Sequence, residues 1–122
     1  MEWNIDSERP VYLQIIEQIQ GGIISGQIEP GSKLPSVRDL AADAGVNPNT
    51  MQKALSELER MELISTYRTN GKYITNDTAL IQAMKESEAD NRIKVFLRDM
   101  EFLGFLPEDI ILRMRKYKEE KE

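Results

Sequence analysis

Ser36-Val37-Arg38-Asp39-Leu40-Ala41-Ala42-Asp43-Ala44-Gly45-Val46-Asn47-Pro48-Asn49-Thr50-Met51-Gln52-Lys53-Ala54-Leu55-Ser56-Glu57-Leu58 decides the fold. Ser36 and Asp39 have capping-box spacing, and Val37, Leu40 and Ala41 form one apolar stripe, which predicts a short helix from about Val37 to Asp43. Ala44-Gly45-Val46-Asn47 is a tight connection with Gly45 at the cap. Asn47 as N-cap and Pro48 at the first helical position restart a helix over residues 47–62. Met51, Ala54, Leu55 and Leu58 recur at i, i+3, i+4 and i+7 and mark its buried face. Two helices joined by about four residues including glycine form a helix-turn-helix.

Downstream, the period changes. Leu63–Tyr67 and Lys72–Thr75 are rich in β-branched and aromatic residues and flank Arg68-Thr69-Asn70-Gly71. Asn-Gly between such runs signals a hairpin, and a hairpin directly after a helix-turn-helix is a wing. Upstream, Pro10 opens a helix carrying Tyr12, Ile15, Ile16, Ile19 and Ile23, closed by Gly26, and a turn-rich link with Pro30, Gly31, Ser32 and Pro35 follows. From Asn76 to Leu103 neither Gly nor Pro occurs, which predicts one long helix or two with a soft join. Gly104 ends it, Pro107-Glu108-Asp109 starts a last helix, and the charged tail from Arg113 is expected to be solvated. The expected architecture is mainly α with a small β-hairpin wing: a winged helix-turn-helix over residues 1–75 and a C-terminal α-helical hairpin over 76–122.

Composition narrows the function. The chain has 122 residues, 40% hydrophobic and 30% charged, with no Cys and no His. That fits a folded protein and removes disulfides, thiol chemistry, Cys/His metal sites and imidazole triads. No cofactor, metal or catalytic residue is expected, and Glu57, Glu59 and Glu62 read as a solvated helix face rather than an enzyme site. There is no signal-peptide pattern and no spanning apolar run, so a cytoplasmic protein without membrane partners is expected. The net charge of −5 argues against a non-specific nucleic-acid coat. Along the chain it is uneven. Residues 33–72 hold six bases (Lys33, Arg38, Lys53, Arg60, Arg68, Lys72) against five acids, so this stretch is +1 and the remainder −6.

At 100° per residue, Asn49, Gln52, Lys53, Ser56 and Arg60 fall opposite the buried stripe of the 47–62 helix. Its first two turns carry amides, hydroxyls and one Lys, with no acid. Recognition helices read base edges with their N-terminal residues, and Asn and Gln pair bidentately with adenine while Lys reaches guanine or phosphate. Asn49, Thr50, Gln52, Lys53 and Ser56 are therefore the candidate major-groove set, and the N-cap Asn47 is a further candidate DNA contact. Ser36, Arg38, Arg68, Thr69, Gly71 and Lys72 are the candidate phosphate or minor-groove set.

Leu34-Pro35-Ser36-Val37-Arg38-Asp39-Leu40-Ala41, then Gly45-Val46-Asn47-Pro48-Asn49-Thr50, Leu55-x-x-Leu58-Glu59 and Gly71, with the Pro10-Val11-Tyr12-Leu13-Gln14 opening, closely resemble the DNA-binding domain of GntR-type bacterial transcription regulators. The resemblance implies DNA contacts at Arg38, in the first turn of the recognition helix and at the wing tip. Pro48 and Gln52 stand where many members carry Arg, so those members' guanine contacts do not transfer. The short tail, with Phe96-Leu97, Met100, Leu103-Gly104-Phe105 and Glu108-Asp109-Ile110, resembles the YtrA-like branch, which implies dimerisation through two C-terminal helices and control of transporter genes.

The residues support a dimer independently. Ile93, Phe96, Leu97, Met100, Leu103, Phe105, Ile110, Ile111 and Met114 are too many apolar side chains for a two-helix hairpin to bury alone. A two-fold partner would cover them and space two recognition helices for a palindromic site. The expected function is a homodimeric, sequence-specific DNA-binding regulator, a repressor on a palindromic operator. A winged-helix adaptor for another protein is the alternative. No residue pattern names a small-molecule effector; a site for one is expected between the C-terminal helices and the winged domain.

Overall fold

A computed structural model describes residues 1–67 and 71–121. Five helices and one hairpin follow in the order α1 (Val11–Ser25), α2 (Val37–Ala44), α3 (Pro48–Arg60), β1 (Ile64–Tyr67), β2 (Gly71–Ile74), α4 (Thr78–Phe102) and α5 (Pro107–Lys121). The fold is a winged helix-turn-helix followed by two helices, as the sequence predicts. It divides into two compact units, Met1–Lys85 and Glu86–Glu122.

The caps explain the helix boundaries of the first unit. Ser36 Oγ accepts the Asp39 amide at 3.1 Å, and Asn47 Oδ1 accepts the Asn49 amide at 2.7 Å. Gly26 and Gly45 close α1 and α2 at φ 86° and 70°, left-handed values that cost glycine nothing. The third helix stops at Arg60, two residues before the expected end. The Leu63 amide donates to Leu58 O and the Glu62 amide to Glu59 O, a paired closure that sets Glu62 at φ 66°. Leu58 and Leu63 are both fully buried, so the hydrophobic contact that accompanies this closure overrides the reluctance of Glu to adopt it.

The core of this unit is where α1, α2, α3 and the hairpin meet. Ile15, Ile19, Ile23, Met51, Ala54, Leu55, Leu58, Leu63 and Ile74 are all at most 1% exposed, and each large apolar side chain contributes roughly 1.5–3 kcal/mol on burial. Ile81 from the start of α4 joins this core. The strands are antiparallel, Ile64 opposite Ile74 and Tyr67 opposite Gly71; Arg68, Thr69 and Asn70 lie outside the described residues.

Two features escape the sequence reading. The link before α2, expected only as turns, pairs with β2: Ile74 N donates to Ser32 O at 2.8 Å and Leu34 N to Lys72 O at 2.9 Å. The segment before α1 is also tied down. Buried Gln14 accepts the Asp6 amide at 3.0 Å and donates to Asp6 O and Arg9 O at 2.9 and 2.8 Å. Trp3 Nε1 donates to Asp43 Oδ2 on α2 at 2.8 Å.

From Thr78 in the first unit, α4 runs unbroken to Phe102 in the second, and the charged stretch from Arg113, exposed through Glu120, continues α5 as helix to Lys121. The chain turns at Gly104, φ 95°, where the Gly104 amide donates to Glu101 O and the Phe105 amide to Met100 O. Ile110 is 2% exposed, and the Arg113 guanidinium lies 5.1 Å from the Phe105 ring centroid. Most other apolar side chains here face outward. Phe102 is 92% exposed, Leu103 67% and Leu106 63%.

Candidate nucleic-acid interface

The outward face of α3, the candidate reading face, follows from how the helix is held. Met51, Ala54, Leu55 and Leu58 are completely buried, which turns Asn49, Gln52, Lys53 and Ser56 outward, and all four are exposed. Thr50 is half-buried at the edge of this face. Gln52 Nε2 donates to Ser56 Oγ one turn later at 3.1 Å, leaving the amide oxygen and a second N–H for a base edge. The Lys53 ammonium lies 4.1 Å from the centroid of the Tyr12 ring on α1. No acid occurs in the first turn of α3.

Ser36 and Asn47 are the N-caps of α2 and α3, and capping uses an acceptor on each. The Ser36 hydroxyl hydrogen and the Asn47 amide hydrogens remain as donors, which is what a phosphate requires. Arg38, in the first turn of α2, is exposed. Both helix N-termini thus present donors, that of α2 beside the Arg38 cation.

The acids of α3 are turned to internal use. Glu57 is paired with Arg60 one turn on, and the hydrogen bond from that guanidinium holds its carboxyl below the usual range. Burial pushes the Glu59 carboxyl up, but hydrogen bonds from Lys72 and Thr66 and the Lys72 charge outweigh it and hold it below its ordinary value. The outer surface of α3 is left with amides, a hydroxyl, Lys53 and the paired Arg60.

At the wing, Gly71 is exposed at φ 89°, a conformation the start of β2 requires. Lys72 is not outward-facing: its side chain is 14% exposed and paired with Glu59. Arg68 and Thr69 lie outside the described residues. Lys33, absent from the candidate set, is exposed and backbone-bridged to Tyr73 beside the wing. Its sequence position gave no signal, because only the pairing of the 31–34 segment with β2 brings it there.

A groove of about 670 Å³ within the first unit is lined by Ile28, Leu34 and Leu40 with Asp39 and Asp43. Among the described residues no group of His, Cys, Asp or Glu is placed to hold a metal ion. No helix of those residues is long and apolar enough to cross a membrane.

Of the nine residues expected at a dimer interface, Ile93, Phe96, Leu103, Ile111 and Met114 are 41–67% exposed. Leu97, Met100 and Phe105 are half-buried, and Ile110 is buried. Val95, Phe102, Leu106 and Leu112, which the sequence reading leaves out, are also exposed.

Comparison with known proteins bears on this surface. Residues 11–74 match the family described as bacterial regulatory proteins, gntR family. A relative from Bacillus subtilis, the HTH-type transcriptional repressor YtrA, is 40% identical over 100 residues, covering 80% of this chain and 76% of its own. The structure of a GntR family transcriptional regulator from Listeria monocytogenes superposes with a TM-score of 0.87 at 40% identity, over 92% of this chain and 98% of that one. The DNA-binding domain of AraR in complex with operator ORX1 superposes with a TM-score of 0.56 at 26% identity, over 62% of this chain and 96% of that one. The matched family residues span α1 through β2, the same elements that carry the reading face and the wing, and the chain belongs to the gntR family of bacterial regulatory proteins.

Proposed function

We propose that this transcriptional regulator acts as a homodimeric repressor on a two-fold DNA operator in the cytoplasm. The observation that carries the DNA reading is the outer face of α3: Asn49, Gln52, Lys53 and Ser56 exposed, acid-free in the first turn, and fixed by a fully buried opposite face. These side chains, with Asn47 and Thr50, would enter the major groove. Ser36, Arg38 and the wing residues Arg68, Thr69 and Gly71 would hold the backbone. The AraR–operator complex and the YtrA repressor support the reading by likeness. Transporter genes as targets are only what the resemblance of the short tail to the YtrA-like branch implies.

The dimer rests on the second unit. Phe96, Leu103, Ile111 and Met114 are large apolar side chains left exposed in it, and a second copy would cover them and also supply the second recognition helix. Repression would be occlusion of a promoter, relieved by an effector that changes the spacing of the two half-sites.

The decisive experiment selects bound duplexes from a random pool and measures their affinity over a salt series. A two-fold consensus, with binding that weakens steeply with salt, is expected. In light scattering, Phe96→Asp should run as monomers of 14.0 kDa and lose cooperative binding. No specific duplex would overturn the DNA reading in favour of a protein-binding adaptor. Dimers persisting in Phe96→Asp would overturn the interface.

A further inference from the structure

Lys72 sits in β2 one residue after Gly71 and directly across the hairpin from Thr66. Its ammonium donates to the Glu59 carboxylate and, at 2.9 Å, to Thr66 Oγ1. Thr66 Oγ1 in turn donates to the same carboxylate oxygen at 2.6 Å. The closed triangle takes one residue from each of α3, β1 and β2. It ties the wing to the last turn of the helix whose first turns form the proposed reading face.

An ammonium held this way is a poor phosphate ligand. Its side chain is 14% exposed, and turning it outward would leave Glu59, itself 32% exposed, unpaired beside an incoming phosphate. Removing one member of a partly buried ion pair costs more than the pair is worth, because the other charge stays desolvated. Lys33 offers the opposite arrangement. It is exposed, it makes no ion pair among the described residues, and its Cε lies 3.4 Å from where a Cβ on Gly71 would stand. Its chain therefore runs along the one residue of β2 that has no side chain, toward the start of the wing.

We infer that Lys72 is a positioning residue that locks the wing onto the recognition helix, and that Lys33 is the wing-side cation offered to a DNA phosphate. The inference rests on the DNA-binding reading above. The lock fixes the wing relative to α3 before DNA arrives, so less ordering is required on binding. Its loss should weaken binding without removing a counterion-releasing contact, whereas loss of Lys33 should remove one.

Full-length wild type, Lys72→Met, Lys33→Met and the exchanged pair Glu59→Lys/Lys72→Glu would be compared on the selected duplex over a salt series. Amide exchange of the free proteins would be followed across the hairpin. Lys33→Met should lower the salt slope by about 0.9 and leave hairpin exchange unchanged. Lys72→Met should keep the wild-type slope, bind about tenfold more weakly and exchange its hairpin amides about tenfold faster. The exchanged pair should recover hairpin protection, although Glu at position 72 cannot hold a phosphate. A slope lowered by Lys72→Met with unchanged exchange would overturn the lock, and an unchanged slope in Lys33→Met would overturn the contact. If wild type binds no duplex, the DNA reading and the Lys33 contact fall together, and the exchange comparison still decides the lock.

Discussion

Lys53 places its ammonium 4.1 Å from the centroid of the Tyr12 ring, joining the reading face of α3 to the first turn of α1. A lysine stem has four rotatable bonds, and an aromatic face on one side limits where the charge points. Tyr12 thereby orients the cation within the first two turns of the recognition helix. Tyr12→Leu should retain the fold and cost roughly 0.5–1 kcal/mol of operator affinity, about twofold to fivefold, with an unchanged salt slope. Lys53→Ala should cost more and lower the slope by about 0.9 if the ammonium meets a phosphate. Fluorescence anisotropy over a salt series measures both.

Gln14 anchors the chain entering α1. It is 2% exposed and bonded to three backbone groups of Asp6 and Arg9. Gln14→Leu preserves the volume and leaves those groups without partners, so a destabilisation of about 2–3 kcal/mol is expected. Thermal melting should show a fall on the order of 10 °C. An unchanged melting temperature would mean that water replaces the amide.

Glu62 occupies a left-handed position at φ 66°. That backbone costs an L-residue roughly 1–2 kcal/mol and glycine little, while glycine gives back part of the gain through its looser unfolded chain. Glu62→Gly should stabilise the protein by about 0.5–1 kcal/mol, read as a higher denaturation midpoint. A loss of stability would show that the Glu62 side chain contributes more than its backbone costs.

Glu59 is held below the ordinary carboxylate range by Lys72 and Thr66, against the opposing effect of burial. A depressed folded-state value means that the unfolded chain takes up the proton first as pH falls. The contribution is therefore complete above the unfolded value and is lost as pH drops through the folded one. Denaturant midpoints should fall as pH drops below the ordinary Glu value of about 4.3, and Glu59→Gln should flatten part of that fall. Equal pH dependence in wild type and Glu59→Gln would remove Glu59 from the account.

The helix-turn-helix is legible because its determinants are local. The caps Ser36 and Asn47, the Gly45 closure and the 3.6-residue stripe of Met51, Ala54, Leu55 and Leu58 each act within a few residues, and each forms as the pattern predicts. The end of α3 is less so, since its closure depends on Leu63 finding the core together with Leu58. The pairing of residues 31–34 with β2 has no periodic signature, because it is a contact between segments about forty residues apart whose hydrogen bonds are made by backbone.

By itself the sequence determined the order of elements, the buried face of α3 and hence which side chains look outward from it. Only the tertiary structure decided what those outward residues are bound to before any partner arrives. Sequence pattern places Lys53, by helical period, and Lys72, beside the hairpin turn, equally among exposed bases, but it cannot see Tyr12 packed beside one or Glu59 and Thr66 closing around the other. The reason is range: capping and amphipathicity are set by neighbours in the chain, whereas the pairing of a charge depends on which elements the core brings together.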